Sequence, residues 1–268
     1  MNKKIAYPIF VVLIFILFYF FAFAPKTSSN AVVFCSVGQG DGALIKSGDE
    51  EVLVDAGPDD TSMMDCLSKY MSPSDKTIEK VIASHYDADH IGGFKSVFNN
   101  YQVKDAYGLG PKVGKDTVTY KNWLNGLNSE GISEQTLLAG MNINFSGGNL
   151  EVLYPNYNTD YSSTNLSDVL KLHFLGKTFL FTGDLELPDW HILISDNVNL
   201  EADVLKVAHH GSKNGTDQNV LDAVKPHEAV ISVGPNSYGH PTPTVLKLLS
   251  DSMIPMKRTD KNGDVVYR

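Results

Sequence analysis

Hydrophobic positions along the chain fall into two kinds of pattern. The first is one unbroken block, Ile5 to Ala24, with no charge, almost no polar group and Pro8 near its start. As a helix rising about 1.5 Å per residue it would span roughly 30 Å, the thickness of a hydrocarbon core. The second pattern begins at Ala31: short apolar runs closed by Gly, Asp or His, alternating with stretches of helical spacing. Ala31–Val37 reads as a strand, and Ala43–Lys46 with Glu51–Asp55 as a hairpin around Ser47-Gly48-Asp49. Ile78–Ser84 is a mostly apolar strand that runs straight into His85. Val169–Leu175 and Thr178–Thr182 form a second hairpin about Gly176-Lys177, and Val204–Ala208 and Ala229–Val233 are further strands. Helices are predicted over Thr61–Met71 with Thr61 as cap, and over Phe94–Phe98, Tyr120–Ser129 and Thr242–Ser250. The tail reads as a strand pair around Asn262-Gly263, while residues 99–150 carry the weakest pattern. Strands outnumber helices and no repeat is present. A layered α/β or α+β body follows, with two sheets covered by helices.

The two patterns divide the chain into an anchor or signal segment at 1–24, a short linker at 25–30 and a single body at 31–268. Lys3 and Lys4 precede the apolar block and Lys26 is the one nearby charge after it. That bias predicts a cytoplasmic N-terminus and an exported body at the cell membrane. Ala22-Phe23-Ala24 offers a small-x-small cleavage site that would instead release a secreted protein. The length of the block and its bulky Phe residues favour an uncleaved single-pass transmembrane helix.

Composition narrows the function. Apolar residues are 43% and charged residues 20%, an ordinary globular balance with material for a full core. The net charge is −9; beyond the anchor, 20 basic groups face 31 acidic ones, a net −11. Proteins that grip nucleic acid through its phosphates usually carry the opposite surplus, so strong sequence-independent DNA binding is not expected. Two cysteines, Cys35 and Cys66, are too few for a disulfide scaffold and too far apart for a CxxC knuckle. They read either as one bridge outside the cytoplasm or as two buried thiols.

The main chemical signal is Ser84-His85-Tyr86-Asp87-Ala88-Asp89-His90-Ile91-Gly92-Gly93. Four candidate metal ligands fall within six residues directly after an apolar strand, where side chains converge on a rigid support. Imidazole and carboxylate suit zinc, manganese or iron. A polar loop capping the next helix would account for one Asp and leave the two histidines unexplained.

This HxDxDH segment resembles the HxHxDH motif of the metallo-β-lactamase superfamily, with Asp87 in place of the middle histidine. The resemblance runs in order along almost all of 31–268, through Val37-Gly38-Gln39-Gly40-Asp41-Gly42, Asp55-Ala56-Gly57 and Thr182-Gly183-Asp184. Leu205-Lys206-Val207-Ala208-His209-His210-Gly211-Ser212 and Tyr238-Gly239-His240-Pro241 look like the late motifs of its competence-type (ComEC/Rec2-like) branch. The resemblance implies the α+β class, as an αββα four-layer sandwich, and a site for two divalent metal ions, Zn or Mn. It gives His85 and Asp87 to the first ion, Asp89 and His90 to the second, and makes Asp184 the bridge. One of His209 and His210 completes the second shell. His210 is favoured as that ligand and His209 as an outer or substrate-contacting group, since strand alternation turns only one neighbour inward. Asp89, His209 and His240 are the candidate catalytic groups, His240 as a contact for a phosphoryl oxygen or a proton donor to the leaving group.

The sequence departs from the family pattern where a third-motif histidine is expected, at Asn165 and Ser167. This leaves the first ion richer in oxygen ligands and shifts the expectation from zinc toward manganese. Asp41 and Asp55 are expected to brace loops by hydrogen bonds. His173 reads as a hairpin residue, and His191 and His227 as surface residues. Together these features point to an extracytoplasmic hydrolase acting on a phosphodiester substrate, with single-stranded DNA a candidate. The alternatives are a membrane-tethered accessory of DNA uptake without enzymatic activity and a β-lactamase-type amide hydrolase. The missing histidine and Asp87 count against the lactamase. One span cannot form a channel, so the chain is not expected to import DNA alone.

Overall fold

The computed structural model describes residues 30–114, 116–159 and 166–268. The expected anchor or signal segment at 1–24, nearly all of the linker and Asn165 lie outside the described residues. Among the described residues no helix is long and apolar enough to cross a membrane.

Two seven-stranded sheets form the body. The first joins β1 (Ala31–Phe34), β2 (Gly42–Ser47), β3 (Glu50–Ala56), β4 (Thr77–Ile82), β5 (Gln102–Gly108) and β6 (Glu134–Thr136) in sequence order, with β14 (Val265–Tyr267) beside β1. The second joins β7 (Asn142–Phe145), β8 (Gly148–Tyr154), β9 (Val169–Phe174), β10 (Lys177–Phe181), β11 (Val204–Lys206), β12 (Glu228–Ile231) and β13 (Met256–Arg258) in sequence order. Each sheet is antiparallel in one half and parallel in the other.

Period-two alternation sorts the strand residues into two cores. Val32, Phe34, Ile45, Val52 and Val54 meet Leu170, Leu172, Phe179 and Phe181 between the sheets, with the Phe34 and Phe181 rings 5.4 Å apart. Val33, Leu44, Leu53, Leu180 and Leu205 face outward, in the core that also takes in Met63, Trp123, Trp190 and Leu249 from the flanking helices. The layers are therefore helix, sheet, sheet, helix. Each buried large apolar side chain contributes roughly 1.5–3 kcal/mol by leaving water. Strands buried on both faces lose the polar alternation of a surface strand, which is why they read as continuous apolar runs.

Two expectations change. Thr61 sits at the start of helix Ser62–Tyr70, but its side chain does not cap it; Asp59 Oδ1 accepts from the Thr61 and Ser62 amides, both at 2.8 Å. The tail strands do not pair with each other. The turn Thr259–Asn262 is helical and carries the chain across the sandwich, so β13 joins the second sheet and β14 the first. Cys35 and Cys66 are joined in a disulfide that ties the loop after β1 to helix Ser62–Tyr70.

β1, β3 and β4 run in one direction, as do β10, β11 and β12. Their C-terminal ends carry the loops with Asp41, Asp55, His85–His90, Asp184, His209–His210 and His240. Open α/β sheets characteristically bind ligands at such strand ends.

Candidate metal centre

Asp184 leaves β10 through Gly183, whose backbone is left-handed (φ 43°). A side chain there would meet Ser167 Oγ at 1.9 Å, and that hydroxyl accepts from the Asp184 amide at 3.2 Å. Ser167, near the place of the missing histidine, thus holds the backbone of Asp184. Gly40 does similar work on the other sheet: its φ of 148° and the Asp89 carbonyl, 2.2 Å from any added Cβ, leave room for glycine alone. The Asp41 amide donates to that same carbonyl at 3.1 Å, pinning the Asp89 turn to the loop after β1.

The Asp184 carboxylate stands between two donor sets. Oδ1 lies 3.3 Å from His90 Nε2 and 3.5 Å from His210 Nε2, and His210 Nε2 is 3.3 Å from Asp89 Oδ2. The ligating atoms of these four residues all fall within 4.8 Å of one another. Oδ2 lies 4.0 Å from His85 Nε2 and 3.6 Å from His209 Nε2, and His85 Nε2 is 3.7 Å from Asp87 Oδ2. All six expected metal ligands are therefore brought together. His240 stands further out, its ring 5.5 Å from that of His209. His173, His191 and His227 lie apart with exposed side chains, as expected.

A divalent ion fits this cluster on chemical grounds. His90 Nε2, His210 Nε2 and Asp184 Oδ1 are buried, converge, and make no hydrogen bond to any protein group. Their other nitrogens are held from behind, as ligating histidines require. His90 Nδ1 donates to Asp55 Oδ2 at 2.8 Å, and His210 Nδ1 donates to the Ser232 carbonyl at 3.0 Å with Asp41 Oδ1 at 3.3 Å. Asp55 also accepts from the Ser84 amide and hydroxyl at 2.8 and 2.7 Å, and Ser84 Oγ is 3.1 Å from His85 Nδ1. The expected bracing by Asp41 and Asp55 thus reaches the imidazoles themselves.

Electrostatics agree. Burial works against charge on His210, yet Asp184 and Asp41 outweigh it and raise its pKa to about 9. His90 is likewise raised against burial by Asp184 and Asp55. Burial opposes the charge on Asp184, but His90 and His210 hold its pKa well below the carboxylate range. His85 goes the other way: burial, then the neighbouring His90, bring it down to about 4. In the metal-free protein, protons on His90 and His210 supply the positive charge that this ring of carboxylates demands.

Residues 35–112 match the family described as the metallo-beta-lactamase superfamily. Over that stretch the chain is similar to the metallo-β-lactamase superfamily. Over 94% of its length it is 28% identical to ComE operon protein 3 of Bacillus subtilis, and over 91% it is 27% identical to competence protein ComA of Neisseria gonorrhoeae. It spans about a third of those relatives, 35% and 33% of their lengths. The metallo-beta-lactamase fold protein YhfI from Bacillus subtilis matches 89% of this chain over its own full length, at a TM-score of 0.60 and 15% identity. That likeness establishes the fold of the domain alone.

Three partners of this site were not expected from sequence. Lys206, buried on β11, pairs with Asp41 and donates to the Gly183 carbonyl at 3.4 Å. Glu186 Oε1 stands 3.5 Å from His209 Nδ1. Asp168 is fully buried behind the cluster, its amide donating to the Ser84 carbonyl, and burial raises its pKa well above normal. Only Lys206 gave a hint, as a charge inside an otherwise apolar strand.

Proposed function

We propose that the domain is a metal-dependent hydrolase of phosphodiesters, nuclease-like, acting outside the cytoplasm with two divalent ions. The observation that carries this reading is Asp184, which offers one carboxylate oxygen to each of two donor sets. His85, Asp87 and Asp184 would hold one ion, and Asp89, His90, His210 and Asp184 the other. Two such ions, Zn or Mn, lower the pKa of a water toward neutrality and offset the charge of attacking and leaving oxygens. Around them, Asp89 is the half-buried carboxylate placed to take the water's proton as the new P–O bond forms. His240 is placed to hydrogen-bond the departing oxygen. Burial, then His209 and His210, lower its pKa, so it stands neutral near pH 7 with one nitrogen to donate and one to accept. Asn236 fixes its loop, donating from Nδ2 to the His240 carbonyl at 2.8 Å and accepting at Oδ1 from the Tyr238 and His240 amides.

The competence names of the relatives support DNA as the phosphodiester. The acidic body argues that the metal centre, rather than a basic surface, provides the hold on phosphate. The Cys35–Cys66 disulfide supports an exported body, and residues 5–24 are the proposed anchor. The test is turnover of single-stranded DNA and bis-p-nitrophenyl phosphate with Mn²⁺ or Zn²⁺, with nitrocefin as the amide control. No phosphodiester turnover with either ion rejects the proposal, and nitrocefin turnover alone replaces it with a lactamase.

A further inference from the structure

His209 and His210 were expected to diverge, since successive residues of a strand face opposite ways. They do not, because the strand has already ended. β11 stops at Lys206, and His209 (φ 51°, ψ 47°), His210 (φ 52°, ψ 25°) and Gly211 (φ 82°) are successive left-handed residues. The turn is locked by the His209 amide donating to the Gly183 carbonyl at 3.0 Å and the Ser212 amide donating to the His209 carbonyl at 2.8 Å. Non-glycine residues take this conformation rarely, and two in a row more rarely still. The result is that both imidazoles point at one carboxylate, His210 Nε2 to Asp184 Oδ1 at 3.5 Å and His209 Nε2 to Asp184 Oδ2 at 3.6 Å.

We infer that His209 is a ligand of the first metal ion, taking the place left by the absent third-motif histidine. The inference rests on the two-ion reading above and deepens it. Each ion then has the same donor set: His85, His209 and Asp87 on one side, His90, His210 and Asp89 on the other, with Asp184 shared. The oxygen-rich first shell expected from sequence becomes a balanced one, so the two positions should favour the same metal. The surroundings agree. His85, His90 and His210 each have an acceptor behind Nδ1, and the Glu186 carboxylate stands 3.5 Å from His209 Nδ1, close enough to pair with it electrostatically though no hydrogen bond is formed. His209 is the more open of the two histidines assigned to this ion, its side chain 30% exposed against 5% for His85.

The test is Mn²⁺ binding to the full chain in detergent, followed by calorimetry and by the exchange-coupled spin signal of a manganese pair. Wild type should bind two ions and show the coupled signal. His209→Gly removes the imidazole and gives the turn a residue that favours its backbone, so folding is not put at risk. It should retain one ion with an affinity within about threefold of wild type, lose the other by more than the 10–100-fold typical of an outer partner, and lose the coupled signal. Glu186→Gln should weaken the same ion by about 10–100-fold. Two ions bound by His209→Gly with unchanged affinities would overturn the assignment while leaving the two-ion centre standing. Fewer than two ions in wild type would overturn both.

Discussion

Asp55→Asn isolates the contribution of the residues behind the metal ligands. Asp55 accepts three hydrogen bonds, from the Ser84 amide, the Ser84 hydroxyl and His90 Nδ1, at 2.8, 2.7 and 2.8 Å. The amide is nearly isosteric and Oδ1 can keep the Ser84 amide bond, so the backbone stays in place. At the other position an NH₂ replaces Oδ2 and faces His90 Nδ1, donor to donor. His90 can accept from that NH₂ only by moving its proton to Nε2, the nitrogen aimed at Asp184 Oδ1. A protonated Nε2 cannot ligate. Restoring the useful tautomer means giving up the bond behind Nδ1, and outer partners of this kind typically govern about 10–100-fold in metal affinity. That range corresponds to about 1.4–2.8 kcal/mol. The expected outcome is a loss of this size at the ion held by Asp89, His90 and His210, with a smaller change at the other ion because Ser84 can reorient beside His85. Stepwise Mn²⁺ or Zn²⁺ affinities by chelator competition give the readout. Unchanged affinity for both ions, or an equal loss at both, would refute the tautomer argument.

Three further outcomes follow from the same geometry. Since His210 in the metal-free protein is raised to about 9 and His90 is also raised, both carry protons at pH 7 that a metal must displace. Calorimetry in buffers of different ionisation enthalpy should show net proton release at pH 7, and affinity should climb from pH 6 to about 9. The signs for metal-free stability are opposite at the two ends: the His210 contribution is complete below its ordinary 6.5 and is lost as pH rises through about 9, while that of Asp184 is present above 3.8 and lost as pH falls. Lys206→Met strips the buried partner from Asp41 and should cost about 3–5 kcal/mol in denaturant unfolding, with Lys206→Met/Asp41→Leu recovering part of the loss. Reducing the Cys35–Cys66 disulfide, which closes a separation of 31 residues, should cost about 3–4 kcal/mol of chain entropy, measured as a shift of the unfolding midpoint with and without reductant.

How much of this was legible beforehand depended on whether a feature is local. The strands of 31–84 and 169–233 announced themselves because both faces are buried, and hydrophobic content alone marks such strands. Strand β5 (Gln102–Gly108) was missed for the opposite reason: Gln102, Lys104 and Asp105 break its apolar run, and its neighbours β4 and β6 lie far away in sequence. The tail strands were seen but wrongly paired, because an Asn-Gly turn is a strong hairpin signal and nothing in the sequence shows that the two strands belong to different sheets.

The site divides in the same way. Its six candidate ligands could be picked out from motifs because each motif follows a strand end, and strand ends are local. What Asp41 and Asp55 brace could not be read, since Asp55 to His90 and Lys206 to Asp41 join segments far apart in sequence that only the completed sandwich brings together. His209 is the instructive case. Alternation is a sound rule while a strand lasts, and it assigned one inward and one outward histidine. What overrules it is a left-handed turn at residues that are not glycine, held by a bond to Gly183 just beyond the neighbouring strand. Backbone held in so sparsely populated a region costs of order 1–3 kcal/mol per residue and persists only where the surrounding structure imposes it. Two such residues side by side at a strand end, both aimed at the same carboxylate, are therefore a stronger indication of function than either histidine's identity.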